Sequence, residues 1–185
     1  MHNLHTIAPP PCGIIGYCGT AGSGKSYMAQ TVLRACEYPV HVMSFASPLK
    51  AMVHGLYTVM GIENGRCERM IHGDLKEAEI DPLLFPGLTT RRIMQTLGTE
   101  WGRNLIDRDL WTKIMLARVT QARADGYAVI IDDVRFPNEV RLVRQLGGKV
   151  VCIHNPRAPQ PDANPVHVSE MLPPYDETYL NEVTL

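Results

Sequence analysis

A chain of 185 residues can bury a sizeable core, and a single domain over residues 1–185 is the expectation. Its 45% apolar and 20% charged residues suit a soluble globular protein, and a formal net charge of −1 excludes the global basic field of a nucleic-acid binder. No apolar run reaches membrane-spanning length, so neither a membrane nor polymeric nucleic acid is an expected partner.

Residues 1–12 lack the basic-then-apolar order of a secretory signal, and Pro9-Pro10-Pro11 suggests a loose arm entering the first strand. Cys12, Cys18, Cys36, Cys67 and Cys152 are an odd number without C-x-x-C spacing, which reads as reduced thiols and a cytoplasmic location. The seven histidines form no zinc pattern with them.

Residues 13–18 form a short apolar run suited to a buried strand. Gly19-Thr20-Ala21-Gly22-Ser23-Gly24-Lys25-Ser26 follows, a full G-x-x-x-x-G-K-[ST] phosphate-binding loop, with Tyr27 beside it. Met28, Ala29, Val32 and Leu33 then recur at helical spacing, so the loop lies between strand and helix, where the motif functions. Its glycines let backbone N–H groups turn toward phosphate oxygens, and the helix N-terminus adds a favourable dipole. Lys25, expected to face solvent, supplies charge for the β- and γ-phosphates, and the Ser26 hydroxyl can hold Mg²⁺. ATP and Mg²⁺ are the cofactors this implies.

A second strand is expected over residues 40–45, and Pro48 suits the first turn of a helix over residues 49–60. Residues 62–89, broken by Gly65, Gly73, Pro82, Pro86 and Gly87, read as an insertion or mobile flap outside the core, within an acceptor-binding region at 46–104. A helix is expected over residues 91–97. Another begins after Asp109, carries the stripe Trp111, Ile114, Met115, Val119 and Ala122, and stops before Gly126. Residues 127–132 are the clearest buried strand. A helix over 138–146 and a strand over 149–153 follow. Residues 155–174 hold six prolines and read as a long loop and candidate lid, and 181–185 as a short last strand. Strands alternating with helices imply an α/β fold of the P-loop NTPase kind, with a parallel sheet of about five strands and helices on both faces.

Asp132 ends an apolar strand, where a Mg²⁺-coordinating carboxylate is expected; Asp133 beside it is the alternative. Arg135 is placed either facing the phosphates or in a surface ion pair with Glu139. Arg91, Arg92 and Arg103 bracket Gln95, Thr99, Glu100 and Trp101. Arginine grips phosphate bidentately, Trp101 can stack on a base and Gln95 can read its edge. Lys50, after Phe45-Ala46-Ser47-Pro48-Leu49, is a further phosphate contact.

Phe45-Ala46-Ser47-Pro48-Leu49-Lys50, Lys76-Glu77, Arg92, Gln95-Thr96-Leu97-Gly98-Thr99-Glu100-Trp101-Gly102-Arg103, Asp133-Val134-Arg135-Phe136-Pro137-Asn138-Glu139 and His167-Val168-Ser169-Glu170 together resemble the deoxynucleoside monophosphate kinases of tailed bacteriophages. The resemblance spans nearly the whole chain and implies transfer of the ATP γ-phosphate to a deoxynucleoside monophosphate. It implies a nucleoside monophosphate kinase type of fold and small nucleotides as partners. ATP and Mg²⁺ fall to Lys25, Ser26 and Asp132, and the acceptor to Phe45, Lys50, Arg92, Gln95, Thr99, Trp101 and Arg103. Arg135 and Arg157 are left to stabilise the transferring phosphoryl. Ser26-Tyr27 departs from the acidic residue and threonine of many relatives, and the end at Leu185 leaves adenine to an open surface or another subunit, as in a homodimer. Two rival readings are a kinase of another small acceptor, such as dephospho-coenzyme A, and a non-catalytic module that changes shape with ATP.

Overall fold

Three apolar runs lie at the centre of one parallel sheet. In a computed structural model describing residues 6–158 and 171–181, β1 (Ile14–Cys18) and β3 (Ala128–Ile131) are buried along their whole length, and β4 (Lys149–His154) along all but its ends. β2 (Val40–Met43) and β5 (Glu177–Leu180) form the edges, giving the order β2-β3-β1-β4-β5, with every pairing parallel. Burial on both faces explains why the central strands are continuous apolar runs while β5 is largely exposed.

Alternation along β1 assigns its two faces. Ile15 and Tyr17 pack with Met28, Ala29 and Val32 of α1 (Lys25–Ala35). Gly16 lies on the other face, where α6 (Pro137–Gln145) approaches: a Cβ there would come within 2.9 Å of Val134 and 3.3 Å of Val143. Helices therefore cover both faces of the sheet, and α5 (Leu110–Ala124) buries Trp111, Met115, Val119 and Ala122 of its expected stripe. The arm is not loose where it is described. Ile7 is fully buried in the α1-side core, and the Tyr17 and Tyr38 hydroxyls donate to the Ile7 and Pro9 carbonyls. All five cysteines are free thiols.

The chain divides into two compact units: Met1–Phe45 with Trp111–Leu185, and Ala46–Leu110. The second unit has its own core. Val53 and Tyr57 of α2 (Ser47–Val59) pack with Cys67, Met70 and Ile71 of α3 (Asn64–His72) and with Ile80. Within residues 62–89, read as a flap, Cys67, Met70, Ile71 and Ile80 are buried in this core, while residues 82–87 are exposed. α3 starts where the Glu63 carboxylate accepts from the Gly65 and Arg66 N–H groups, both at 2.9 Å, and its apolar residues fall on one face. Tyr57 shares a buried hydroxyl contact of 2.7 Å with Thr90, and burial pushes its phenol above the usual range. Met70→Ala is expected to cost about 2–5 kcal/mol in chemical denaturation, as deletion from a packed core does; a loose flap would lose almost nothing.

α4 (Thr90–Thr96) runs directly into a π-helical segment, Leu97–Ile106, where one short helix was expected. Its wider turn is seen in the Asp107 N–H donating to the Gly102 carbonyl at 2.9 Å. Gly98 and Gly102 are its buried residues, and Leu49 lies 3.2 Å from where a Gly98 Cβ would stand. The last strand is Glu177–Leu180, ahead of the expected 181–185, of which 182–185 lie outside the described residues.

Candidate active site

The loops that follow β1, β3 and β4 emerge at the carboxyl ends of neighbouring parallel strands, the edge at which open α/β sheets bind ligands. The β1 loop is the glycine-rich one. Gly19 has φ 145°, and a Cβ on it would lie 2.5 Å from the Ile153 carbonyl oxygen and 2.7 Å from Ser23 Oγ. A side chain is excluded by conformation and by space. Gly24, left-handed at φ 87°, is the N-cap of α1, so the loop leads straight into a helix N-terminus.

Lys25 does not simply face solvent. Its ammonium reaches back across the loop, donating to the Gly19 carbonyl at 2.8 Å and the Thr20 carbonyl at 2.7 Å, with Ser23 Oγ at 3.4 Å. Burial, and after it the nearby Arg135 guanidinium, push its pKa down to about 8. At neutral pH it remains the cation a phosphate requires. Thr20 and Ser23 serve the loop itself: Ser23 N–H donates to the Thr20 carbonyl at 3.2 Å, and Ser23 is fully buried. Ala21, Gly22, Ser26 and Tyr27 are exposed.

Geometry separates the two adjacent aspartates. Ser26 Oγ donates to Asp132 Oδ2 at 2.9 Å, joining the start of α1 to the end of β3. Asp133 turns to β2: it accepts from Ser44 Oγ at 2.6 Å and from the Phe45 N–H at 2.7 Å. Ser26 and Asp132 form a small set of hard oxygen donors, which fits Mg²⁺, an ion held by one or two carboxylates together with substrate phosphates. Among the described residues, no three His, Cys, Asp or Glu side chains gather as a metal cage.

Glu139 is buried, 1% exposed, and its carboxylate accepts from the Arg135 N–H at 2.7 Å and the Phe136 N–H at 3.1 Å. It caps the start of α6 through these backbone bonds. The Arg135 side chain is exposed. Arg157 is also exposed, with its backbone N–H on Asn155 Oδ1 at 2.9 Å. Most of the candidate lid, including His167 and Glu170, lies outside the described residues.

In the second unit, Arg92, Gln95, Thr99 and Arg103 recur at spacings of three and four residues along α4 and the π segment, so they share one side of it. Arg92 is exposed; Gln95, Thr99 and Arg103 are half-buried. Trp101 is 37% exposed, enough to offer a ring face. Lys50 on α2 lies with Nζ 3.4 Å from His72 Nδ1. Phe45 is different: at 5% exposed its ring is packed within the chain.

Sequence reasoning missed Asn181. It is buried, and its side-chain amide donates to the Ser23 carbonyl of the loop at 3.0 Å. Nothing in the local sequence marks a contact made across 158 positions.

The family model for deoxynucleotide monophosphate kinases matches residues 83–178. A protein of Acanthamoeba polyphaga mimivirus, provisionally named deoxynucleotide monophosphate kinase, is 26% identical over 187 aligned residues, covering 93% of this chain and 90% of its own. The deoxynucleoside-5'-monophosphate kinase of Escherichia phage T5 is 35% identical over 71 residues, 38% of this chain and 28% of its own. Among solved structures, TT1252 from Thermus thermophilus aligns over 80% of this chain and 67% of its own, with 16% identity and a TM-score of 0.39.

Proposed function

We propose how the reaction is divided among the residues of this chain, which belongs to the deoxynucleotide monophosphate kinase family. It is a phosphotransferase that acts on a deoxynucleoside monophosphate, and as a kinase it draws on ATP. The observation that carries the residue assignment is the meeting of Lys25, Ser26 and Asp132 where β1 and β3 end.

On this reading the loop N–H groups and the α1 N-terminus hold the β- and γ-phosphates. The Lys25 ammonium leaves the Gly19 and Thr20 carbonyls for phosphate oxygens. Burial and the Arg135 charge lower its pKa, and an anionic phosphate beside it would offset that cost. Ser26 and Asp132 would hold Mg²⁺, which when bound screens the phosphate oxygens. An oxygen of the acceptor 5'-phosphate forms the new bond to the γ-phosphorus, and the bond from that phosphorus to the bridging oxygen breaks. ADP leaves with the electron pair, and a deoxynucleoside diphosphate remains. The phosphate nucleophile is already anionic, so positioning and charge neutralisation do the catalytic work and no dedicated base is needed. Arg135 and Arg157 are assigned to the charge on the transferring group. The substrates and the five free thiols favour the cytoplasm as the working compartment. Among the described residues, no helix is long and apolar enough to cross a membrane.

The acceptor is assigned to the second unit: Arg92, Arg103 and Lys50 for its phosphate, Gln95, Thr99 and Trp101 for its base and sugar. Their shared side and the exposed Trp101 ring support this. Arg103→Ala is expected to raise the acceptor KM by roughly tenfold or more, the worth of one charge-assisted hydrogen bond, with the ATP KM unchanged. Separate KM measurements check it, and an equal rise for both substrates would remove Arg103 from the acceptor site.

A further inference from the structure

Asn181 directly follows β5 and is 1% exposed. Two bonds fix it. Its backbone N–H donates to the His154 carbonyl at the end of β4, at 2.7 Å, and its side-chain Nδ2 donates to the Ser23 carbonyl at 3.0 Å. Ser23 is fully buried, so its carbonyl needs a protein partner, and an isolated buried carbonyl is costly.

The peptide unit joining Ser23 to Gly24 is planar and trans, so its C=O and N–H point in opposite directions. Holding the oxygen therefore also aims the Gly24 N–H. Gly24 sits at φ 87° and has wide backbone freedom, so the local chain alone does not lock that plane. Its N–H belongs to the loop and helix N-terminus that receive the anion. On the β4 side, the Ile153 carbonyl lies so near Gly19 that a Cβ there would stand 2.5 Å from it. The ends of β4 and β5 thus brace the loop from two directions.

We infer that Asn181 is a positioning residue for the nucleotide phosphates: by holding the Ser23 carbonyl it orients the Ser23–Gly24 peptide and turns the Gly24 N–H toward them. The inference rests on the reading that this loop holds the phosphates of ATP.

Asn181→Asp keeps the shape of the side chain and replaces the donor with an acceptor. Asn181→Ser is too short to reach. Each variant is purified as the full chain, its melting temperature is taken, and KM is measured separately for ATP and for the acceptor. The ATP KM is expected to rise roughly tenfold, as loss of one hydrogen bond implies, while the acceptor KM holds at the wild-type value. A folded variant with a wild-type ATP KM overturns the inference. So does an equal rise for both substrates, or failure of both variants to fold, since Asn181 would then be purely structural. Lys25→Ala, assayed for turnover beside them, separates two failures. If it loses turnover while the Asn181 variants keep a wild-type ATP KM, only the role of Asn181 falls; if it too turns over normally, the loop reading falls and the inference with it.

Discussion

Lys25→Ala is expected to lower kcat by roughly 10²–10³-fold, the loss typical when one charge-stabilising group is removed from a transition state. The fold should survive. The Lys25 ammonium donates to two loop carbonyls, so its removal costs hydrogen bonds. Burial, which pushes its pKa down to about 8, works against holding the charge there. The two effects oppose each other, and the net change in stability is small. Steady-state kinetics and a thermal melt on one preparation check both halves. Near-normal turnover would remove Lys25 from the reaction. A collapse of the melting temperature would make it a structural brace of the loop.

Asp132→Asn should be nearly as damaging, with kcat down by roughly 10²-fold and recovered in part at high Mg²⁺. An amide keeps the shape but not the charge, so the effect should track metal concentration. Asp133→Ala should behave differently. Asp133 holds the Ser44 hydroxyl and the Phe45 N–H, and losing those charged hydrogen bonds should cost about 1.5–3 kcal/mol each in stability, with little change in Mg²⁺ dependence. A Mg²⁺ titration of both variants beside their unfolding curves is the check. If Asp133→Ala, and not Asp132→Asn, shifts the Mg²⁺ requirement, the two roles are reversed.

What was legible in the sequence was mostly local. The phosphate loop could be read because its chemistry needs a fixed order of residues in one stretch of chain. The central strands could be read because burial on both faces forces a continuous apolar run. β5 was misplaced for the same reason: Glu177-Thr178-Tyr179-Leu180 is a largely exposed edge, with no apolar run to betray it. α3 was overlooked although Cys67, Met70 and Ile71 stand at helical spacing, because the glycines and prolines around them looked like loop chemistry. Ile7 shows the converse error. The prolines after it suggested a loose arm, but one apolar residue inserted into the core holds residues 6–12 in place.

Within the site, the contrast between Asp132 and Asp133 was beyond sequence reasoning. Both are carboxylates at the end of one strand, and opposite backbone directions send one to Ser26 and the other to β2. Asn181 was further out of reach, since its meaning depends wholly on the tertiary fold. The π segment had no local signal either; it carries Thr99 and Arg103, while Arg92 and Gln95 lie on α4 before it.

The most direct measurement is nucleotide product analysis with purified protein, ATP, Mg²⁺ and each of the four deoxynucleoside monophosphates in turn. With at least one of them, ADP and the deoxynucleoside diphosphate should appear in equal amounts, and neither should form without the acceptor. Release of ADP without any diphosphate product, or transfer to dephospho-coenzyme A in preference to all four, would contradict the assignment of this chain as a deoxynucleoside monophosphate kinase.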